Sequence, residues 1–327
     1  MIKNLEIKNF KSIKHLTLDC KRINLFIGEP NTGKSNILEA FGLLSHIYYG
    51  ELKNFVRFET MCNLFYDENL DDTIDLKFDE NITLIDFNDG RFIGHDNLER
   101  LVGGERTERQ IFNYDYDGSG RLDRQEDYKS FKFYKFEVKK SFPRQESEFL
   151  LPPAGDNLLT IILTHKELRK LVRQLFETCG LRVVLKPQEG KIDVQKEIED
   201  VIISHPYSLV SDTLQRIIFY LVAMETNENS VLVFEEPEAH AFPYYTQYLA
   251  ERIALDKSDN QYFISTHNPY LLLSILEKAH KDEVAIFITY LEDYQTQVKP
   301  LSDNGKRDIL DAEIDAFFNI DRFLEED

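Results

Sequence analysis

Apolar and polar residues along the first fifty positions predict two short strands, a buried strand and a helix. Apolar side chains alternate with polar ones at residues 5–7 and 16–18, which is typical of strands. The largely apolar run at residues 23–27 predicts a strand that is buried on both faces. After a glycine-bearing segment, apolar residues recur at helical spacing up to about residue 49. The pattern therefore predicts strand, glycine loop and helix in succession.

Residues 51–150 have a different pattern, which predicts an antiparallel, β-rich insertion. Phenylalanine and tyrosine are frequent here, and alternation predicts strands at residues 73–78, 82–87 and 131–138. Residues 67–89 carry nine acidic residues and one basic residue, Lys77. Such a run of charge is typical of a solvated face, and we expect one here.

The second half of the chain alternates between helical and strand patterns, which predicts a parallel sheet. Helical spacing covers residues 158–178, 211–224, 244–254 and 269–278, and strand patterns cover residues 181–186, 191–194, 231–234 and 261–264. Residues 284–290 and 294–299 are expected to form a closing hairpin, and residues 308–327 one further helix.

Composition places the chain among folded globular proteins. The 327 residues, of which 42% are apolar, fit two average domains or one α/β domain with an insertion. The net charge of −19 repels phosphate backbones at long range, so any nucleic-acid contact has to be local. The three cysteines lack the spacing of a zinc site or a disulfide framework. Because no 18 apolar residues follow one another, we expect a cytoplasmic protein without a membrane segment.

A phosphate-binding motif lies between the predicted buried strand and the predicted helix. Residues 28–35 fit the Walker A pattern G-x-x-x-x-G-K-[ST]. The backbone amides of such a loop converge on an anion, Lys34 reaches the β- and γ-phosphates, and the Ser35 hydroxyl ligates Mg²⁺. The expected nucleotide-binding residues in and beside this loop are Gly28, Glu29, Pro30, Asn31, Thr32, Gly33, Lys34, Ser35 and Asn36.

Two acidic residues follow the apolar strand at residues 231–234. Glu235 and Glu236 match the Walker B pattern, with a glutamate where the first acid is more often an aspartate. We expect Glu235 to hold the magnesium shell and Glu236 to act as the general base on the attacking water. The alternative is that the strand simply ends in surface acids.

A histidine follows the next apolar strand along the chain. His267 lies in the string STHNP at residues 265–269. Ligands of α/β sheets collect at the carboxyl ends of strands, so His267 is expected to donate a hydrogen bond to the γ-phosphate. A structural histidine is the alternative. For His240, structural, dimer-contact and functional roles all remain open.

Together these motifs resemble a known group of ATPases. The strings GEPNTGKSN, VLVFEEPEAH and STHNP, opened by LEIKNFKS at residues 5–12, resemble the ABC-type ATPases that include RecF, the heads of structural-maintenance-of-chromosomes (SMC) proteins and the overcoming-lysogenization-defect (OLD) proteins. They most resemble the small AAA-type ATPases of this clan, several of which serve bacterial anti-phage systems. About sixty residues follow His267, too few for the nuclease domain that full-length OLD proteins carry. The resemblance covers residues 1–50 and about 150–290.

The resemblance implies an α/β fold, a P-loop NTPase of ABC-ATPase type. This fold has a largely parallel central sheet, an N-terminal antiparallel β layer and, in this chain, a β-rich insertion. A single ATPase domain is expected over residues 1–327, with its core at 1–50 and 150–290. The insertion would then cover residues 51–150, and a C-terminal hairpin and helix would cover 291–327.

The resemblance also implies a head-to-tail homodimer or a higher homo-oligomer. In such ATPases a signature helix faces the γ-phosphate bound by the partner. Residues 208–216 occupy the place of the signature, so Ser211 or Ser208 would be the serine that faces the partner. The glycines of the family signature are missing here, and a capping box of Asp212 with Gln215 is the alternative.

Other positions also bear on the nucleotide site. Lys11 matches a basic position that lies near the nucleotide in relatives, and an exposed lysine at a strand end is the alternative. Pro30 stands where these ATPases often have asparagine, and Phe242 where their D-loop carries aspartate or histidine. The usual lid glutamine has no evident counterpart.

The leading functional hypothesis is an ATP-hydrolysing dimeric switch with ATP and Mg²⁺ as ligands. It would control a separate effector protein, such as a nuclease, or act on DNA, in bacterial defence or DNA repair. A nucleotide-gated scaffold with little hydrolysis and a transporter ATPase subunit are the alternatives. DNA binding is suggested only by a basic helix face, for which a solvated surface is the favoured interpretation; its residues are Lys166, Arg169, Lys170 and Arg173.

Overall fold

The first strands and the first helix form where the sequence pattern predicts them. The computed structural model describes residues 1–97, 101–102, 105–106, 109–311 and 316–325. Its first four elements are β1 (Asn4–Phe10), β2 (Ile13–Asp19), β3 (Ile23–Gly28) and α1 (Lys34–Tyr49). All six residues of β3 are buried, as its apolar sequence predicts.

The next part of the chain is rich in strands. These are β4 (Ile74–Phe78), β5 (Asn81–Asn88), β6 (Arg91–Asp96), β7 (Leu101–Val102), β8 (Glu105–Arg106), β9 (Arg109–Tyr114), β10 (Gly120–Leu122) and β11 (Phe131–Tyr134). Strands β6 to β10 have no counterpart in the sequence prediction. All nine acidic residues between positions 67 and 89 are exposed or half-buried, in agreement with a solvated face.

Helices dominate the remainder of the chain. The elements are α2 (Leu158–Thr164), α3 (Lys166–Glu177), β12 (Arg182–Lys186), β13 (Lys191–Ile198), β14 (Val201–Pro206), α4 (Asp212–Glu225), β15 (Val231–Glu235), α5 (Pro243–Ala254), β16 (Gln261–Ser265), α6 (Pro269–Lys278), β17 (Val284–Glu292), β18 (Gln295–Pro300), α7 (Asp303–Asp311) and α8 (Ile320–Glu325). No helix within the described ranges is long and apolar enough to cross a lipid bilayer. The three cysteines are free thiols.

A seven-stranded antiparallel sheet unites the N-terminal strands with the strands that follow α1. Its order is β10-β9-β6-β5-β4-β1-β2. Strand β1 pairs with β2 on one side and with β4 on the other, where Ile7 lies opposite Leu76. The N-terminal β layer and most of the β-rich segment are therefore one continuous sheet.

A six-stranded, mainly parallel sheet forms the centre of the fold. Its order is β11-β15-β16-β3-β17-β18, and only β18 runs antiparallel to its neighbour. Alternate residues of β3 point to opposite faces, so that Phe26 joins one apolar cluster and Leu25 joins another. One cluster contains α1 and the antiparallel sheet, and the other contains α4, α5 and α6. Burial of both faces explains why the central strands have nearly continuous apolar sequences.

Several sequence predictions were wrong in detail. The strand predicted at residues 131–138 within the antiparallel insertion ends at Tyr134 and pairs in parallel with β15 at the edge of the central sheet. All four of its residues are buried, because the strand packs on both faces. The sequence of this strand is short and alternates as that of an antiparallel strand does, so it does not predict the parallel pairing with β15.

Two helix predictions also differ from the structure. The helix predicted at residues 158–178 is two helices, since His165 adopts an extended conformation and its ring binds the carbonyl of Ile161. The single helix predicted for residues 308–327 is replaced, within the described part of the tail, by the end of α7 and by α8. Residues 312–315 and 326–327 of that prediction lie outside the described residues.

A core substitution tests the packing between α1 and the central sheet. Phe263 of β16 is fully buried, and its ring centroid lies 4.2 Å from that of Phe41 on α1. We expect Phe263→Ala to lower the free energy of unfolding by about 3–5 kcal/mol, because it leaves a cavity in this layer. As a control, Tyr294→Asn at a side chain that is 94% exposed should change the free energy by less than about 0.5 kcal/mol. Equal losses in denaturant titrations of both variants would contradict the assignment.

Candidate nucleotide-binding site

The loop between β3 and α1 can adopt its path only because glycines stand at both of its ends. Gly28 has φ +150° and Gly33 has φ +94°. A Cβ atom on Gly28 would lie 2.3 Å from the carbonyl oxygen of Thr289, and one on Gly33 would lie 1.9 Å from Oγ1 of Thr296. The hairpin of β17 and β18 therefore packs directly against the back of this loop, and a side chain at either glycine would displace it.

The first turn of α1 presents its backbone amides to the loop. Gly33 is the N-cap residue, and no side chain of the described residues caps the helix. The first helical hydrogen bond within the turn runs from the Ile37 amide to the Gly33 carbonyl. Free amides at a helix start, together with the helix dipole, favour an anion. The cradle thus fits the phosphate groups of a nucleotide.

Lys34 places its ammonium group inside this loop. Its side chain is buried, and Nζ donates to the carbonyl oxygens of Gly28 at 2.9 Å and Glu29 at 2.7 Å. Burial lowers the pKa of Lys34 to about 8, although the negative charges of Glu236 and Glu29 oppose the shift. A cation that is poorly solvated and held by carbonyl groups is ready to exchange those contacts for phosphate oxygens.

Other residues of the loop anchor it to its surroundings. The Thr32 hydroxyl donates to the Glu29 carbonyl at 2.8 Å and also contacts the Thr289 hydroxyl at 2.7 Å. On the helix side, Asn36 donates to Oγ of Ser12 at 2.6 Å, and Ser12 lies in the turn between β1 and β2. The remaining predicted residues face outward: Glu29, Pro30 and Asn31 are exposed, and Ser35 is half-buried.

The two acids of the predicted Walker B motif lie at the carboxyl end of β15. Glu235 is partly buried, with 22% of its side chain exposed, and lies opposite Ser265 of β16. Glu236 has φ +43°, and its amide donates to the Ser265 carbonyl at 3.0 Å. The two acids therefore lie at the edge of the sheet where the phosphate loop also begins.

His267 meets Glu236 at this edge. Its Nε2 lies 3.5 Å from Oε1 of Glu236, and both side chains are partly exposed. Burial and the positive charge of Lys34 lower the pKa of His267, and Glu236 opposes them. The structure thus brings Lys34, Glu236 and His267 together, as the sequence predicted, and favours a neutral imidazole that can donate one hydrogen bond.

Lys11 is largely buried, and its described contacts are with Glu39 and Arg57 rather than with the phosphate loop. Its Nζ forms an ion pair with Glu39 on α1 and donates to the Arg57 carbonyl at 2.6 Å. Only 11% of its side chain is exposed. Burial lowers the pKa of Lys11, while Glu39 and Glu235 oppose that shift. The alternative of an exposed strand-end lysine is therefore wrong.

Sequence reasoning missed Arg57, which the structure places beside the Walker B acid. Its Nε lies 2.5 Å from Oε1 of Glu39, and its Nη2 lies 3.8 Å from Oε1 of Glu235. Arg57 therefore lies between Glu39 of α1 and Glu235, the acid expected to hold the metal. No motif marks Arg57, since it lies in an irregular segment after α1. A basic residue shortly after the Walker A helix is the only signal that could have identified it.

The segment predicted as a signature starts α4. Ser211 is the exposed N-cap residue and makes no side-chain capping bond. The capping box predicted as the alternative is wrong, because Gln215 donates to the Val210 carbonyl at 2.8 Å instead. Asp212 faces its own helix, where Oδ2 lies 3.4 Å from Nε of Arg216.

His240 contacts the start of α4 through its backbone. The residue is exposed, and its carbonyl oxygen accepts a hydrogen bond from the Thr213 hydroxyl at 2.9 Å. Thr213 lies in the first turn of α4, so this bond joins the start of α4 to the segment that follows Glu236. The start of α4 therefore lies at the same edge of the sheet as the Walker B acids.

Comparison with known protein families divides the chain between two profiles. The profile of a family described as "AAA ATPase domain" matches residues 1–179, which include the phosphate loop and Arg57. A profile described as "AAA domain, putative AbiEii toxin, Type IV TA system" matches residues 186–274, which include Ser211, the Walker B acids and His267. No curated protein matches the chain.

Solved structures share the fold at low sequence identity. An SMC head bound to the C-winged helix domain of ScpA is 14% identical, has a TM-score of 0.56, and covers 92% of this chain and 98% of its own. An SMC head domain with an extended coiled coil, bound to the C-terminal domain of ScpA derived from Pyrococcus furiosus, is 13% identical with a TM-score of 0.53. That match covers 95% of this chain and 99% of its own. The predicted fold class, an ABC-type P-loop ATPase fold, is confirmed.

The lowered pKa of Lys34 predicts how nucleotide affinity depends on pH. Above pH 8 the lysine of the free site loses its proton, and binding of a triphosphate has to restore it, so affinity falls as pH rises. We expect ATP to bind up to about tenfold more weakly at pH 9 than at pH 7 in calorimetric titrations. Lys34→Met should abolish binding, and Lys257→Met, at an exposed lysine, should keep the wild-type pH dependence. Equal affinity at both pH values, or micromolar binding by Lys34→Met, would contradict this assignment.

Proposed function

The chain belongs to the family of AAA ATPase domains, and we propose that it is a magnesium-dependent, ATP-hydrolysing switch that works as a head-to-tail homodimer and controls a separate effector protein. The observation that carries the proposal is the convergence of Lys34, Glu236 and His267 at one edge of the central sheet. A cation, a carboxylate and a hydrogen-bond donor are groups that, together with Mg²⁺, serve the hydrolysis of a terminal phosphate.

The residues of the loop are suited to ATP and Mg²⁺. The amides at the start of α1 and the ammonium group of Lys34 would hold the β- and γ-phosphates. Ser35 and Glu235 would hold Mg²⁺, which supplies charge neutralisation at the phosphate oxygens. Glu235 is partnered by Arg57 at 3.8 Å, so its negative charge is balanced within the site itself.

Hydrolysis would use the two partly exposed side chains at the strand ends. Glu236 would accept a proton from water as the water oxygen attacks the γ-phosphorus and the bond from that phosphorus to the β–γ bridging oxygen breaks. ADP and phosphate are then the products. His267 would donate its N–H to the γ-phosphate, and its contact with Glu236 at 3.5 Å would align the two groups.

Exposed apolar side chains at the same edge support pairing with a second copy. Leu209, Phe242, Tyr244 and Tyr270 are 74%, 67%, 64% and 56% exposed, and each lies at or just before the start of α4, α5 or α6. Large apolar and aromatic side chains of this kind are enriched in protein interfaces. The uncapped start of α4 at Ser211 lies among them, while Asp212 is turned toward Arg216 and would leave the amides open to a partner's phosphate.

The charge of the chain supports a protein effector rather than DNA. The net charge is −19, and the basic face of α3 is partly neutralised within the helix. Lys170 pairs with Glu167 at 3.2 Å, and Arg173 pairs with Glu177 at 3.2 Å. These pairs favour the interpretation of that face as solvated surface.

The role of Glu236 separates a hydrolysing switch from a scaffold that only binds nucleotide. We expect Glu236→Gln to keep ATP affinity and to slow phosphate release by about 100-fold or more, because the amide cannot accept the proton. The matched change Glu277→Gln, at an exposed residue of α6, should leave the rate unchanged. Phosphate release measured at saturating ATP checks both variants, and an equal rate for Glu236→Gln and wild type would reject the general base.

Mixing two inactive variants tests the head-to-tail arrangement. Lys34→Met removes the phosphate-loop cation, and Ser211→Arg blocks the surface that would face the partner. In a two-fold dimer each mixed pair retains one intact composite site, so an equal mixture should recover about a quarter of the wild-type hydrolysis rate. Continued inactivity of the mixture would show that Ser211 does not act across the interface.

A further inference from the structure

The third glutamate of the segment EEPEAH, residues 235–240, lies inside the protein. Glu238 is 4% exposed, and its Oε1 accepts a hydrogen bond from the Thr266 hydroxyl. Its Oε2 is buried and has no hydrogen-bond partner among the described residues. Burial of a carboxyl group with one oxygen unpartnered is costly, and it is common at functional sites.

The partner of Glu238 controls the backbone on both sides of His267. Thr266 is fully buried, and its amide donates to the Phe26 carbonyl of β3 at 3.1 Å. Its hydroxyl oxygen also accepts a hydrogen bond from the Asn268 amide at 3.0 Å. Thr266, the residue before His267, is therefore bonded to β3 through its amide. Its hydroxyl group connects Asn268, the residue after His267, to Glu238.

The segment around Glu238 directs the side chain inward. The Ala239 amide donates to the Glu236 carbonyl at 3.0 Å, and the Ala241 amide donates to the Glu238 carbonyl at 2.9 Å. Across these two turns the chain passes from the partly exposed side chain of Glu236 to the buried side chain of Glu238. The segment then joins α4 through the bond from Thr213 to His240.

The buried carboxyl group is suited to a neutral state. Burial raises the pKa of Glu238 to about 7, and the nearby charge of Glu236 adds to this effect. The Thr266 hydroxyl and the backbone amide of His267 act in the opposite direction. When Glu238 is protonated, its carbonyl oxygen can still accept the threonine hydrogen bond, and the unpartnered oxygen carries the proton.

We propose that Glu238 is a positioning residue for the hydrolysis described above, and that it acts through Thr266 to hold His267 against Glu236. This inference rests on the proposed function, because His267 has to face the γ-phosphate for its position to matter. Loss of the Glu238 side chain would release the Thr266 hydroxyl and allow the loop at residues 265–268 to shift. A displacement of about 1 Å at a catalytic group can lower a rate by roughly 100-fold.

Two pairs of variants separate positioning from a general loss of structure. We expect Glu238→Ala and Thr266→Val each to lower kcat roughly 10- to 100-fold while ATP affinity stays within about twofold. The conservative variants Glu238→Gln and Thr266→Ser keep a hydrogen-bonding oxygen, so they should retain most of kcat. Because both residues act through one bond, the double variant Glu238→Ala with Thr266→Val should be no slower than the slower single variant.

A measurement that does not depend on hydrolysis distinguishes this inference from the proposed function. In histidine-labelled full-length protein, the ring signals of His267, assigned by their loss in His267→Gln, report its environment by NMR. Glu238→Ala should shift those signals and raise the pKa of His267, because the displaced ring becomes better solvated and leaves the vicinity of Lys34, and these two effects outweigh the lost contact with Glu236. Glu238→Gln should cause neither change. The shift is expected even in protein that does not turn over ATP.

Three results would overturn the positioning role of Glu238. One is an unchanged His267 signal and pKa in Glu238→Ala. Another is additive loss of kcat in the double variant. A third is a loss of kcat in Glu238→Gln as large as that in Glu238→Ala.

Discussion

The candidate site depends on the parallel alignment of three neighbouring strands. Strands β15, β16 and β3 are adjacent and parallel, so their carboxyl ends lie at one edge of the sheet. The segments that follow them carry the two Walker B acids, His267 and the phosphate loop. Residues separated by more than two hundred positions in the chain therefore lie at the same edge of the sheet. A different strand order would leave each motif intact and separate their side chains.

Charge is balanced in two groups around this edge. The first contains Lys34, Glu236 and His267, where burial lowers the pKa of both the lysine and the histidine. The second is built on Glu39, a buried carboxylate that pairs with Lys11 and Arg57. Arg57 also approaches Glu235, so the second group reaches the acid expected to hold the metal. Opposite charges within reach offset part of the desolvation penalty, but the lowered pKa values of Lys34 and Lys11 show that burial outweighs them.

Residues of the β17–β18 hairpin and of the β1–β2 turn pack around the phosphate loop. The hairpin of β17 and β18 places Thr289 and Thr296 against the two loop glycines. The Thr296 hydroxyl also lies 2.6 Å from that of Ser12, in the turn between β1 and β2. The antiparallel sheet, the hairpin and the central sheet thus meet at the loop. This arrangement gives the N-terminal strands a direct role in shaping the site, in addition to covering one face of the core.

The sequence by itself determined the elements whose signals are local. Periodic apolar residues placed β3, α1 and the central strands, and the Walker motifs identified the loop and its acids because their chemistry depends on neighbouring residues. The tertiary structure decided what depends on distant residues: the parallel pairing of β11, the ion pair of Lys11 with Glu39, the approach of Arg57 to Glu235, and the burial of Glu238 beneath Thr266. The capping box predicted at Asp212 failed for a local reason, since Arg216 and the Val210 carbonyl, each within five residues of its partner, bind the two side chains instead. A polar side chain takes the best partner that folding brings within reach, and local sequence does not specify that partner.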